Sequence, residues 1–469
     1  MKNIAVFFAF IFLFFQASCL FASYDTFLDT CLRIAESRDK KLAVAAEQIN
    51  LSKIRVLRAA RNRWPMVAAQ RKFTRGRTVL MDTTAGTQDY QQESYGLRAG
   101  LPIYQGGRIS SSHKYDKLMR ESAQFNYTKI REDLFYNVKL AYYEYQTLRM
   151  EYTALKKAFG EIEALGRKVR IEYNAKSISE LDLIEAEHFK NKLSNLFLTS
   201  QASLELATKK LAALVRVQSV DEIPAALPDG LTENVPEITF TLDECLSFIP
   251  LNSVDLRLNQ LQIMMSAERI IISRSKIIPK LDLEGFYGKS GEAYITQPLD
   301  LTTSWSVLGR FSWTLWGNTF EATSSQDKMN PNELVDPNAL TDNNTLEMKL
   351  GIIDDLSYFV DSKESKVSIQ QAESEYNDTM LKLSLSLQKA HNEYSSSLRS
   401  QRTLKDEMRL AERKLLLMRK RNELLEVPTV QLMEETWKYA ETISNYGKAL
   451  YSNYASVTEM ERLVLISLR

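Results

Sequence analysis

The chain is written twice, and no other feature limits its possible folds as sharply. Leu28-Asp29-Thr30-Cys31-Leu32 returns as Leu242-Asp243-Glu244-Cys245-Leu246, 214 positions later. The same offset relates Leu42 to Leu256, Gln48 to Gln262, Ser52 to Ser266, Arg55 to Arg269 and Pro65 to Pro279 without a gap. Further on the offset becomes 249. It then relates Leu97 to Leu346, Leu101 to Leu350, Ile103 to Ile352, Leu134 to Leu383, Ala141 to Ala390, Tyr145 to Tyr394 and Leu155 to Leu404. The second copy therefore holds a net 35 extra residues between Pro279 and Leu346. Repetition on this scale sets the organisation of a whole chain. The expected divisions are a first repeat over 23–220, a linker over 221–240 containing Pro224, Pro228 and Pro236, and a second repeat over 241–469. An insertion falls at about 318–344.

Each repeat has the order helix, strands, long helix, helix. The first helix is expected from about Asp25 to Arg63, ending at Trp64-Pro65, because proline removes an amide donor and clashes with the preceding turn. Short alternating segments follow near Val67–Thr74 and Tyr95–Tyr104, and Gly106-Gly107 then opens a very long helix. Leu134, Val138, Ala141, Tyr145, Leu148, Tyr152, Leu155, Ile162, Leu165 and Val169 form its seam, with the 3.5-residue period of a coiled coil. From Arg108 to about Asn174 it would reach roughly 100 Å at ~1.5 Å per residue. Gly160 and Gly166 are points where it could loosen. A break at Ala175–Ser179 lets Ser179 cap a further helix to about Val217. In the second repeat the long helix is expected over about Asp361–Leu425, followed by the turn Glu426-Val427-Pro428-Thr429 and a helix ending near Leu468. Only 16 glycines and 11 prolines punctuate 469 residues, which suits few, long elements.

The N-terminus fits export. Lys2 precedes the apolar run Ile4–Phe15, and small residues follow at Ala17, Ser18, Ala22 and Ser23, the order of a signal peptide, here 1–22. Cys19 as an acylated residue is the alternative, with Gln16 where an aliphatic is usual. Sixty Lys and Arg balance 59 Asp and Glu, so no basic surplus points to nucleic acid. Cys31 and Cys245 are repeat mates, expected in the core rather than bonded to each other. His113, His188 and His391 are isolated and expected at the surface, and no cluster has metal-ligand spacing. No cofactor motif and no catalytic constellation occurs in either repeat, so an enzyme is not expected.

An exported chain with a few aromatic or alternating strands (Phe286, Tyr287, Trp305, Phe311, Trp313, Trp316) raises the question of a shared barrel. In lipid, β-structure must close on itself, and about four strands are too few for one chain to close alone. Several copies could close one together. The outward faces should then be apolar, and Phe286, Trp305 and Trp313 are the residues expected there.

The segment Leu101-Pro102-Ile103-Tyr104-Gln105-Gly106-Gly107 closely resembles the strand-to-helix junction of the TolC family of outer-membrane efflux proteins. Ser177–Ala186 resembles that family's helical-hairpin turn, and Pro65 and Pro279 stand where the family places its helix-to-strand proline. The resemblance runs over roughly Asp25–Leu468. It implies a mainly α fold with a small β part: coiled-coil helices forming an α-barrel, and about four strands per protomer in a 12-stranded transmembrane barrel shared by a homotrimer. It also implies an outer-membrane location with a large periplasmic portion. The partners would be a periplasmic adaptor and an inner-membrane transporter, as in a tripartite efflux pump or type I secretion system. Passage through such a duct is passive. The alternative is an exported coiled-coil structural or adaptor protein without a pore. No lipoyl-like or small glycine-rich barrel domain of an adaptor is visible.

The resemblance also places a periplasmic gate at Asp182 in the first turn and at Gln431 and Glu434 in the second. A symmetric ring of carboxylates favours cations in a pore and raises the pKa of its members, but Gln431 departs from the acidic pattern. The bland reading of Asp182 and Glu434 is that of solvated acids at helix starts. Ser177, Ile178, Ser179, Val427, Pro428 and Thr429 form the adaptor-docking turns by the same resemblance. Tyr142, Tyr143 and Tyr145 are expected to pack in the coiled-coil core. The segment Asn318–Asn344, with Pro331 and Pro337, is expected as a loop. Two segments compete for the last barrel strand: Phe311–Trp316, which looks like a family junction, and Leu346–Ile353, the repeat mate of Leu97–Tyr104.

Overall fold

The computed structural model describes residues 26–79, 87–224, 238, 240–294, 298–329 and 341–464. The expected signal peptide with Cys19, and most of the 221–240 linker, lie outside them. The first repeat supplies α1 (Thr26–Arg38), α2 (Lys40–Arg61), β1 (Met66–Val79), β2 (Thr87–Gln105), α3 (Arg108–Asn174) and α4 (Glu180–Val215). The second supplies α5 (Leu242–Asn252), α6 (Val254–Arg274), β3 (Lys280–Tyr294), β4 (Thr302–Leu315), β5 (Asn318–Met329), β6 (Thr341–Gly351), α7 (Ser357–Glu423) and α8 (Thr429–Val464). The long helices α3 and α7 both have 67 residues, and α4 and α8 both have 36. All four starts obey the 249 offset. Gly160 and Gly166 lie within an uninterrupted α3.

The first helix of each repeat is broken where one continuous helix is expected. Asp39 interrupts the first and caps α2, its carboxylate accepting from the Leu42 N–H at 3.0 Å. Its repeat mate Ser253 divides α5 from α6. A cap at the break satisfies amide donors that a helix start otherwise leaves open.

The described residues form two compact units, and each draws on both repeats. The described residues of the first unit (within 1–43, 128–253 and 380–469) are mainly helical. One core cluster joins Phe27 and Cys31 of α1, Val138, Ala141 and Tyr142 of α3, Leu211 and Val215 of α4, and Leu450 and Tyr454 of α8. Tyr143 stacks on Tyr454 with ring centroids 4.4 Å apart. The three tyrosines at 142, 143 and 145 are thus core residues. A second cluster holds Leu155, Ile162 and Val169 of α3 with Leu193 of α4 and Met433 of α8. Every seam residue from Leu134 to Val169 is buried or partly buried, because steps of three and four keep one stripe facing the partner helices. Cys31 and Cys245 are buried and no disulfide joins them, and burial pushes the Cys245 thiol up from its ordinary pKa.

The second unit (44–127 and 254–379) contains one six-stranded antiparallel meander in the order β1-β2-β3-β4-β5-β6. Six strands replace the expected four. The segment expected as a loop at Asn318–Asn344 includes β5 and the start of β6; its Asn and Asp content does not prevent pairing, since β5 and β6 are in register from Thr319↔Gly351 to Met329↔Thr341. Both candidates for the last strand are strands. Phe311–Leu315 ends β4, and Leu346–Gly351 ends β6. His113 corrects another expectation: it is buried in α3, and burial, with Lys117 and Arg63 nearby, holds its imidazole below the ordinary range.

Candidate functional site

The two helical turns and the sheet face are the parts of the chain with functional potential. The first turn closes α3 in a tight reversal. Lys176 takes a left-handed φ of 59° and the Ser177 N–H donates to the Glu172 carbonyl at 2.9 Å. The second turn repeats this at the mate positions. Leu425 has φ 62°, and the Glu426 N–H donates to the Arg421 carbonyl at 2.9 Å. Both are Schellman closures, which satisfy the last helical carbonyls.

The side chains then diverge. Ser179 and Asp182 form a capping box at the start of α4. The Asp182 N–H donates to Ser179 Oγ at 3.2 Å, and Asp182 Oδ2 accepts from the Ser179 N–H at 3.0 Å and the Ser179 hydroxyl at 2.7 Å. These bonds, the hydroxyl first, hold the Asp182 carboxyl below the usual carboxylate range. At the second turn Pro428 stands in place of Ser179 and Gln431 in place of Asp182. A proline side chain cannot accept the box bond, so an acid at 431 would have no capping partner. The second turn is tied differently. Asn422 is buried, its Nδ2 donates to the Val427 carbonyl at 2.9 Å, and Lys168 Nζ donates to Asn422 Oδ1 at 3.0 Å. The Thr429 hydroxyl donates to Glu172 at 3.1 Å. Glu434 is ion-paired with Lys438 at 2.7 Å.

The structure thus places Asp182 in the first turn of α4, Gln431 in the first turn of α8 and Glu434 in the second turn of α8. Ser177, Ser179 and Pro428 are exposed, Ile178 and Val427 are half-buried, and Thr429 is buried. The apolar side chains of Leu181, Ile184, Leu424 and Leu425 are exposed beside them. Asn422, Lys168 and Glu172 were not visible as turn residues in the sequence, because their partners lie in the other repeat. The Ser179-x-x-Asp182 spacing was a legible signal of the capping box.

At the sheet, Pro65 and Pro279 immediately precede β1 and β3, and Gly106-Gly107 join β2 to α3. Gly106 and Gly107 have φ of 57° and 87°. A Cβ on Gly106 would lie 2.9 Å from Ile278 and 3.0 Å from the Ser275 carbonyl, so the junction requires glycine on both counts.

Side chains alternate across the sheet, and the register assigns them to two faces. One face carries Val67, Ala69 and Phe73 of β1, Tyr95, Leu97 and Ala99 of β2, and Leu281, Leu283 and Tyr287 of β3. It continues through Trp305, Val307, Phe311 and Trp313 of β4. Most of these larger side chains are exposed. Trp305 and Trp313 are eight residues apart, about 27 Å along the strand, the scale of a lipid-facing band with aromatic borders. From Arg71 onward the same face also carries charge, with Arg71–Glu93 at 2.8 Å beside Phe73 and Arg77–Asp89 at 2.7 Å beyond it. The opposite face is polar: Gln70, Lys72, Gln92, Arg98, Asp282, Glu284, Arg310 and Ser312. Phe286 belongs to this polar face rather than to the apolar one expected for it. Its ring covers the Gly96↔Gly288 pair, where a Cβ on either glycine would meet the ring at 2.9 Å.

Among the described residues no group of three or more His, Cys, Asp and Glu could hold a metal ion. No described helix is long and apolar enough to cross a membrane.

Residues 31–220 match the model of the outer membrane efflux protein family, a match that coincides with the first repeat. A comparison with curated proteins finds no sequence match. Solved structures of the same fold include the Neisseria gonorrhoeae MtrE outer membrane channel in its open state: TM-score 0.70, 16% identity, covering 94% of this chain and 89% of that one. The Vibrio cholerae outer membrane protein VceC gives 0.70 and 12%, covering 94% and 97%. The Campylobacter jejuni CmeC outer membrane channel gives 0.69 and 14%, covering 94% and 85%. At these identities the likeness establishes the fold alone, mainly α with long helices and a small antiparallel β part.

Proposed function

We infer that this chain, whose first repeat belongs to the outer membrane efflux protein family, is one protomer of an outer-membrane exit duct. Its sheet spans the outer membrane and its long helices form the periplasmic portion. The observation that carries the reading is the sheet's division into an exposed apolar face and a polar face, on a meander with two free edges. Unpaired backbone is too costly in lipid for such a sheet to stay open. Three copies close it, and substrates expelled by an inner-membrane transporter pass through without chemistry. A periplasmic adaptor docks at the two helical turns, where Leu181, Leu424 and Leu425 are exposed beside Ser177–Ser179 and Val427–Thr429.

At those turns Asp182 and Glu434 supply fixed negative charge from each copy, and Gln431 dilutes it. The capping bonds keep Asp182 ionised, so the ring favours cations. The duct reading is tested by membrane fractionation with mass measurement in mild detergent. The expected product is a trimer in the outer membrane; a soluble periplasmic monomer supports the pore-free coiled-coil alternative. For the ring, the combined D182N and E434Q change should weaken cation preference in bilayer recordings. Unchanged selectivity would confine both acids to capping and ion-pair roles.

A further inference from the structure

Counted from the strand-to-helix junctions, the hairpin β5–β6 is additional to the first repeat, although Leu346 and Leu350 of β6 keep the 249 offset from Leu97 and Leu101 of β2. The end of β2 and the end of β4, Gln105 and Leu315, are 210 positions apart, whereas α3 and α7 start 249 apart. Those offsets differ by 39, the length of the segment 318–356. The junction before it is retained: Trp316 and Gly317 have φ of 58° and 81°, nearly the values of Gly106 and Gly107. In the first repeat that backbone leads into a helix. Here the same two left-handed residues form a two-residue hairpin turn, whose twist matches that of paired strands, and the chain returns along β4. The segment then comes back to its starting point. The Ile353 N–H donates to Asn318 Oδ1 at 2.9 Å, and the Asp355 N–H donates to the Gly317 carbonyl at 3.3 Å.

Two observations assign the hairpin to the barrel wall. First, β5 pairs with β4 from Leu315↔Asn318 to Trp305↔Lys328, so it occupies the edge that β4 would otherwise offer to a neighbour. Second, the two faces continue across it in register. Phe320 and Ala322 lie opposite Trp313 and Phe311, and Met348 and Leu350 lie opposite Ala322 and Phe320. Leu346, Met348 and Leu350 are each 64% exposed. The reverse face carries Glu321, Thr323, Glu347 and Lys349. A loop in water has no physical reason to present apolar side chains at the same level as the lipid-facing band and charges behind them.

We propose that the outer edge of β6 is the contact between copies in the barrel: it pairs with β1 of a second copy of this chain, so that three copies close eighteen strands. The proposal rests on the duct reading. The only free strand edges of the described sheet are those of β1 and β6, and both must be paired in lipid. In an even-numbered meander these strands run in opposite directions, so the new pair is antiparallel like all the others. Barrel diameter grows roughly linearly with strand number, so an eighteen-stranded wall is about half as wide again as a twelve-stranded one.

The test is disulfide trapping between copies in the full chain reconstituted in lipid, with conductance measured on the same preparation. Cys31 and Cys245 are fully buried and stay in place. One series joins β1 to β6, with A68C, Q70C or K72C each combined with E347C. The other joins β1 to β4, with the same three substitutions combined with R310C. The expected result is a cross-linked dimer or trimer band in at least one β1–β6 combination and in none of the β1–β4 combinations. Cross-linking through β4, or through neither strand in a conducting oligomer, overturns the proposal and leaves the duct intact. A non-conducting monomer overturns the duct and the proposal with it. A second variant removes 318–353 and joins Gly317 to Asp354. With β4 now at the edge, its β1–β4 combinations should cross-link; a folded, oligomeric deletion protein in which they do not contradicts the proposal.

Discussion

The two helical turns share a backbone and differ in everything that holds it. Both end a 67-residue helix with a left-handed residue and the same carbonyl closure, at positions 249 apart. The first is then fixed locally, by a box between Ser179 and Asp182 on a single helix start. The second is fixed at a distance, by Asn422 and Thr429 reaching Lys168 and Glu172 of α3. The duplication has kept the geometry of the turn and released its chemistry. The missing acid at Gln431 follows from this: with Pro428 in the capping position, an acid there would have no bond to make.

The largest expected effect is at the second turn. Asn422→Ala removes a buried side chain's bonds to Val427 and Lys168, at a cost of about 2 kcal/mol. Amide exchange at 430–433 should then accelerate roughly thirtyfold, with 179–183 unchanged. Equal acceleration at both turns would mean that they are not separately held. Ser179→Ala should show the reverse pattern and a smaller cost, about 1 kcal/mol for loss of a cap, read from exchange at Asp182.

The pH dependence should separate the turns as well. The Asp182 pKa is lowered in the folded chain. Its contribution is therefore present above the ordinary unfolded carboxylate pKa and is lost as pH falls through the lowered folded value. Exchange at the start of α4 should quicken over that acid window. Asp182→Asn should abolish this response, whereas the second turn, with Gln431, should lack a counterpart from that position. The smallest effect is expected from Glu434→Gln. Its pair with Lys438 is partly exposed and should contribute less than about 0.5 kcal/mol, so a large loss of protection in α8 would give Glu434 a role that its geometry does not.

Much of the fold was legible because it is periodic. The seam from Leu134 to Val169, the stops at Pro65 and Pro279, and the span Arg108–Asn174 follow from spacing and from residues with one dominant backbone effect. The breaks at Asp39 and Ser253 were not, since a short polar residue within a helical pattern is as compatible with a surface position as with a cap. The strand β5 and the start of β6 were hidden because Asn318, Asn343 and Asn344 are common in turns, and the paired strand that outweighs local preference is distant in sequence; the end of β6 was legible in Leu346–Ile353 as a repeat mate. Phe286 misled for a related reason: an aromatic ring in a strand suggests the lipid face until its neighbour is known to be a Gly–Gly pair. The same holds at the turns, where Ser179 and Asp182 share one helix start while Asn422 acts on the other repeat.

The central claim is that the duplicated protomer becomes a duct only when copies assemble. Its most direct test is single-channel conductance of the purified full chain in a planar bilayer, with its mass in detergent determined on the same sample. The account predicts a trimer that opens discrete, reproducible conductance steps. A monodisperse monomer that leaves the bilayer silent would contradict it.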